Sequence, residues 1–179
     1  MTNYRRLASH FEHPLLADLL EPIAGLLEDR HLVVCGATGF VGTWLLAACH
    51  HLDSKGVRMR VTAVARTVPS SGITGASFPW LSWLASDVRQ LAIAEPVAFF
   101  IHAALSSQAG TPAQAASVMQ VAVAGTASAL EEARRHDAKI LYVSSGAVYG
   151  DGLEGLPHRE DRFNPIDPRE PKSLYIEAK

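Results

Sequence analysis

The stretch "HLVVCGATGFVG", residues 31–42, decides the fold. Its first five residues form an apolar run of the kind that makes a buried strand, and three glycines follow at 36, 39 and 42. After them "FVGTWLLAACHHL" reads as a helix with Val41, Leu45 and Cys49 down one side. A glycine triplet between a strand and a helix has a physical reading. Gly36 permits a tight turn, Gly39 lets a pyrophosphate approach the backbone, and Gly42 allows the helix to pack closely on the strand. The residues between and beside them, Thr38, Phe40 and Val41, open the helix, whose N-terminus offers unpaired amides and the positive end of its dipole. The position of the triplet in a first strand–helix unit is what gives it weight.

Working outward, four more apolar runs follow: "MRVTAVAR" (59–66), "PWLSWLA" (79–85), "PVAFFIH" (96–102) and "KILYVSS" (139–145). They are short, β-rich and largely without polar alternation, as expected for parallel strands buried on both faces. A long Ala-rich helix is expected over about 111–136, with basic residues near its C-terminus, whereas "TVPSSGITGASF" (67–78) reads as loop. The alternation predicts an α/β fold, a doubly wound parallel sheet of the Rossmann type, over residues 31–179. Residues 1–30 read as a helical N-terminal extension. Leu15, Leu16, Leu19 and Leu20 recur at helical spacing, and Pro22 is expected to split the segment before Ile23, Leu26 and Leu27.

Composition narrows the class. The 179 residues are 48% hydrophobic and 19% charged with net charge −2, which fits a globular chain and points to neither nucleic acid nor an anionic membrane as partner. The N-terminus lacks the apolar core of a signal peptide and no run reaches membrane-spanning length, so the expected location is the cytoplasm. Cys35 and Cys49 cannot build a disulfide framework and read as reduced, buried thiols. The eight histidines show no metal-ligand spacing, so no metal site is expected.

The end of the second strand carries the cofactor choice. Binders of NAD place an acidic residue there for the ribose 2′-OH, but this chain has Arg66. A guanidinium suits a 2′-phosphate, with Thr67 and Ser70 as helpers, and so favours NADP over NAD; the plain alternative is a solvated arginine at a strand end.

Taken together, "GATGFVG", "SDVR" (86–89), "IHAA" (101–104), "GT" (125–126), "VSSGAVYG" (143–150) and "YIEAK" (175–179) resemble the extended short-chain dehydrogenase/reductase family, in its nucleotide-sugar epimerase/dehydratase branch. The resemblance covers about residues 30–179. It implies that Asp87 and Val88 hold the adenine and that Ala103 and Ala104 line the ribose and nicotinamide side. It also implies that Ser145, Tyr175 and Lys179 form the catalytic set, with Tyr175 and Lys179 also contacting the cofactor. Such a set is chemically coherent. A tyrosine of pKa about 10 is a poor base near neutrality, and a lysine at i+4 shares its helix face and stabilises the phenolate. The serine hydroxyl then orients the sugar oxygen.

Two departures stand out. Ala122 replaces the asparagine that the family usually carries three residues before "GT". Gly146 and Ala147 follow Ser145 where dehydratases carry acidic residues, so 4,6-dehydration is disfavoured and epimerase or 4-keto-sugar reductase chemistry remains. Relatives continue beyond the YxxxK helix into a small substrate domain. The chain is therefore expected to be the N-terminal, cofactor-binding part of a longer enzyme acting on a nucleotide-sugar, with a homodimer implied by resemblance. The competing expectation is a non-catalytic dinucleotide-binding sensor or scaffold.

Overall fold

The computed structural model describes residues 14–69, 78–105, 112–150, 160, 161, 167, 169 and 173–179. Among them five strands pair in parallel: β1 (Arg30–Cys35), β2 (Met59–Ala65), β3 (Leu81–Ala85), β4 (Phe99–His102) and β5 (Lys139–Tyr142). Their order is β3-β2-β1-β4-β5, so the chain walks outward from β1 on one side and restarts on the other. The helices are α1 (Pro14–Leu27), α2 (Phe40–Ser54), α3 (Pro112–Arg135) and α4 (Ser173–Glu177), with 3₁₀ turns at Val88–Gln90 and Gly146–Tyr149. Each apolar run of the sequence thus contains a strand, and the Rossmann-type α/β sheet is the observed fold.

The strands carry the two layers of core on opposite faces because their side chains alternate. Leu32, Val34, Val61 and Ala63 face α1 and α2 with Leu46, Cys49 and Leu52. Val33, Cys35, Val64 and Phe100 face the other way, with Val88, Leu91 and Ala133. Burial on both faces holds for β1, where only Arg30 is exposed, but not for the edge strands β3 and β5. Leu141 of β5 is 57% exposed. An edge strand lacks a neighbour on one side and is covered less completely.

Two local expectations need correction. Pro22 does not split the N-terminal segment, since α1 runs unbroken from Pro14 to Leu27 with the proline inside. One lost backbone bond is tolerated because Leu20 is buried while Ala24 and Leu27 pack on the core beneath. In α2 the inward stripe is Gly42, Leu46 and Cys49 rather than Val41, Leu45 and Cys49. Val41 is exposed and Leu45 only half-buried. The close approach of Gly42 to the preceding loop sets this rotation, as described below. Both cysteines are free and buried, and burial pushes each thiol up to about 12. No helix among the described residues is long and apolar enough to cross a membrane. Of the 67–78 connection, residues 70–77, and with them Ser70, lie outside the described residues, as do residues 1–13.

Candidate functional site

The last residue of β1, Cys35, pairs with Val64 of β2 on one side and His102 of β4 on the other. Beyond that level the chain turns outward in both directions, which leaves a crevice at the carboxyl ends of the strands. Open parallel sheets bind ligands at such a switch point. A cavity of about 400 Å³ lies here, and Gly36, Thr38, Gly39, Arg66, Asp87, Val88, Ala103 and Ala104 all line it. Residues scattered over 69 positions of sequence are thereby brought to one wall.

The loop after β1 is held tightly. Gly36 and Ala37 both donate to Val64 O, at 3.1 and 3.2 Å, and Ala103 N donates to Cys35 O at 3.0 Å. Gly36 has φ +81°, and a Cβ there would stand 2.7 Å from Ala103 O and 2.8 Å from Ala104 Cα. A Cβ on Gly42 would come within 2.6 Å of Ala37 Cα. Glycine at both positions therefore answers to geometry: one to backbone conformation and crowding, the other to helix-on-loop contact. Phe40, Val41 and Gly42 form the first turn of α2 rather than the cavity wall, and Phe40 is 82% exposed. Gly39 caps that helix without any side-chain bond, so the first-turn amides keep their capacity for an anion.

At the far end of the cavity, Asp87 caps the Val88–Gln90 turn. Its carboxylate accepts from Arg89 N at 2.9 Å, from Arg89 Nε at 2.9 Å and from Nη2 at 2.6 Å. These bonds, with the more distant charge of Arg66, hold the carboxyl at about 2, well below its usual range. Arg66 is exposed at the end of β2, and Thr67 beside it is exposed too.

The proton-transfer candidates lie beyond β5. Ser145 caps the Gly146–Tyr149 turn, and its Oγ accepts from Ala147 N at 3.2 Å, leaving its own proton to donate elsewhere. Tyr175 is in α4, which packs against α3 and that turn. Lys179 lies two residues past the helix, with its amide bonded to Ile176 O at 3.1 Å. Its ammonium donates to Val143 O at 2.5 Å and sits 5.3 Å from the centre of the Tyr142 ring. Burial pulls the Lys179 pKa down.

A family model for the NAD dependent epimerase/dehydratase family matches residues 32–179. The chain belongs to that family. No curated protein matches it. Among solved structures, this epimerase/dehydratase chain is similar to the UDP-N-acetylglucosamine 4-epimerase of Methanobrevibacter ruminantium in complex with UDP-N-acetylmuramic acid. The TM-score is 0.63 at 20% identity, covering 85% of this chain and 49% of that one. A short-chain dehydrogenase/reductase superfamily protein from Agrobacterium tumefaciens with bound NAD gives 0.63 at 24% identity, covering 83% and 42%. The ADP-L-glycero-D-manno-heptose-6-epimerase of Helicobacter pylori gives 0.61 at 21% identity, covering 84% and 48%. At these identities the likeness is one of fold, and the chain spans about half or less of each solved relative.

The structure adds residues to the cavity wall that the motifs do not mark. Gln114, Ser117, Val118 and Val121 of α3 close one side of the cavity. Their spacing of three and four is the helical signal that could have found them. Beneath Lys179 lies a second group. His102 is buried with its ring edge-on to Tyr142 at 5.6 Å. Burial first, and the Lys179 charge second, push its pKa down to about 4. Burial likewise raises the Tyr142 phenol; a Thr126 hydrogen bond opposes this and nearby Tyr175 adds to it. His102 falls within the "IHAA" motif without a role of its own, and Tyr142 sits inside an apolar run. Ala122 is buried in α3.

Proposed function

We propose that this chain is the cofactor-binding part of an NAD(P)-dependent nucleotide-sugar epimerase or 4-keto-sugar reductase. One observation carries the reading: the Gly36–Gly39 loop, Asp87–Val88 and Ala103–Ala104 converge on one cavity at the switch point of the sheet. The residues fit a dinucleotide. The cradle at Gly36 has no room for a side chain, and the uncapped α2 N-terminus suits a pyrophosphate. Asp87 stays ionised at any physiological pH and can accept from an adenine amino group. A bound nicotinamide cofactor supplies hydride acceptance and return. Arg66, exposed at the strand end, favours a 2′-phosphate and so NADP.

In this reading Tyr175 moves a proton to or from the sugar oxygen. Lys179 supplies a positive charge from the same end of the chain, and the Tyr142 ring and Val143 carbonyl hold that ammonium in place. Ser145 donates its free proton to the same sugar oxygen. His102, with a pKa of about 4, is neutral at pH 7 and does not compete with Lys179 as a second cation.

Tyr175→Phe tests the mechanism. Turnover on UDP-, dTDP-, CDP- or GDP-sugars should fall by about 10²–10⁴-fold with cofactor affinity retained. An unchanged rate would remove Tyr175 from proton transfer. A wild-type protein that binds NAD(P)H and turns over none of these sugars would favour the second reading, a non-catalytic dinucleotide sensor, to which Ala122 in place of the usual asparagine lends support.

A further inference from the structure

Helix α3 presents Ser128, Glu132 and Arg135 at i, i+4 and i+7 along one face, and His136 follows directly after its end. All four reach the main chain that follows the Val88–Gln90 turn. Leu91 N donates to Ser128 Oγ at 3.0 Å, and Ile93 N donates to Glu132 Oε2 at 2.8 Å. The carbonyl of Ile93 accepts from Arg135 Nη2 at 2.6 Å and lies 3.1 Å from His136 Nε2. Glu132 is 5% exposed, and its carboxylate also pairs with Arg135 Nη2 at 2.9 Å, with His136 Nε2 at 3.6 Å. A carboxylate buried this far persists only when its lone pairs are used. A helix whose task is to cover an apolar sheet does not need one.

Seven residues earlier the same helix touches the same segment again. A Cβ on Gly125 would stand 2.7 Å from Val88 Cγ1, so Val88 lies directly against bare backbone. Residues 87–93 are thus held by α3 at three places, Gly125 on Val88, Ser128 on Leu91 and Glu132 on Ile93. Val88 opens the short 3₁₀ turn Val88–Gln90, and only Leu91 and Ala92 separate that turn from Ile93.

We propose that Glu132 is a positioning residue for the adenine end of the cavity. By gripping Ile93 it sets where Val88 and Asp87 stand, although it lines no part of the cavity itself. The proposal rests on the reading of Asp87–Val88 as the adenine wall.

The test separates the two halves of the cofactor. ADP and nicotinamide mononucleotide are titrated separately into the wild-type chain, Glu132→Gln and Gly125→Ala, with affinities read by NMR or calorimetry. Glu132→Gln keeps the shape and an acceptor for Ile93 N but loses the charge pairing with Arg135. It should weaken ADP about tenfold and leave the mononucleotide within about twofold. Gly125→Ala, which pushes Val88 directly, should give the same pattern. If Glu132→Gln does not fold, Ser128→Ala reads the same clamp more gently, with an ADP loss of about threefold. Equal ADP affinities in wild type and variant overturn the positioning role while leaving the cofactor site intact. Parallel weakening of both ligands overturns it too, as general destabilisation. A wild-type chain that binds neither ligand removes the cofactor site and the proposal together.

Discussion

Lowering the pH should unfold this protein partly through one histidine. His102 ends β4 with 3% of its surface exposed, and its pKa lies near 4 in place of the ordinary 6.5. Burial is the larger cause and the Lys179 ammonium the smaller. Ala104 N donates to His102 Nδ1 at a long 3.4 Å, so the neutral ring carries its proton on Nε2. A fall from 6.5 to about 4 amounts to about 3 kcal/mol of preference for the neutral form. The sign follows from proton uptake. Below pH 6.5 the unfolded chain gains a proton at this residue and the folded chain does not. The stabilisation is therefore fully present above 6.5 and drains away as the pH falls toward 4. Between pH 7.5 and 4.5 the loss from His102 alone is about 2.5 kcal/mol. His102→Asn removes the titration while keeping an acceptor near Ala104 N. Urea unfolding of both proteins at the two pH values should show the wild type losing about 2.5 kcal/mol more than the variant. Parallel losses, within about 0.5 kcal/mol, would refute the reasoning. So would an NMR titration that placed the His102 ring pKa near 6.5.

Gly36→Ala, with φ +81° and a Cβ 2.7 Å from Ala103 O, should cost about 2–3 kcal/mol of stability; an unmoved urea midpoint would show that the loop can shift aside. Pro22→Ala should stabilise the fold by about 1–3 kcal/mol by restoring a helical hydrogen bond inside α1. A lower midpoint would mean that the proline shapes how α1 docks. Arg66→Ala should shift the ratio of NADPH to NADH affinity toward NADH by about tenfold, and an unchanged ratio would take Arg66 off the 2′-phosphate.

Much of the fold was legible because it is written in local patterns. Each strand is a short apolar run, α3 has a long helical composition, and Gly36 and Gly42 sit where chain geometry leaves no other residue room. Asp87–Val88 and Ala103–Ala104 were placed by motif at strand ends, and the registers of β2 with β3 and of β1 with β2 and β4 bring those ends to one cavity. Where local rules failed, a distant contact had overridden them. Pro22 should end a free helix, but burial of Leu20 and packing of Leu27 hold α1 together. The inward face of α2 turned by one residue because Gly42 must abut the loop at Ala37.

By itself, then, the sequence determined the order of strands and helices, the glycine loop after β1 and the positions of Ser145, Tyr175 and Lys179 along the chain. These depend on neighbours a few residues apart, whose spacing is visible in one dimension. Tertiary structure alone decided which strands became edges, that Gln114 to Val121 wall the cavity, and that Lys179 rests on Tyr142 and Val143. It also decided that Glu132 would grip Ile93, 39 residues away. Burial, and the pKa of a group such as His102, come from atoms that meet only when the sheet closes, and no pattern of nearby residues encodes that meeting.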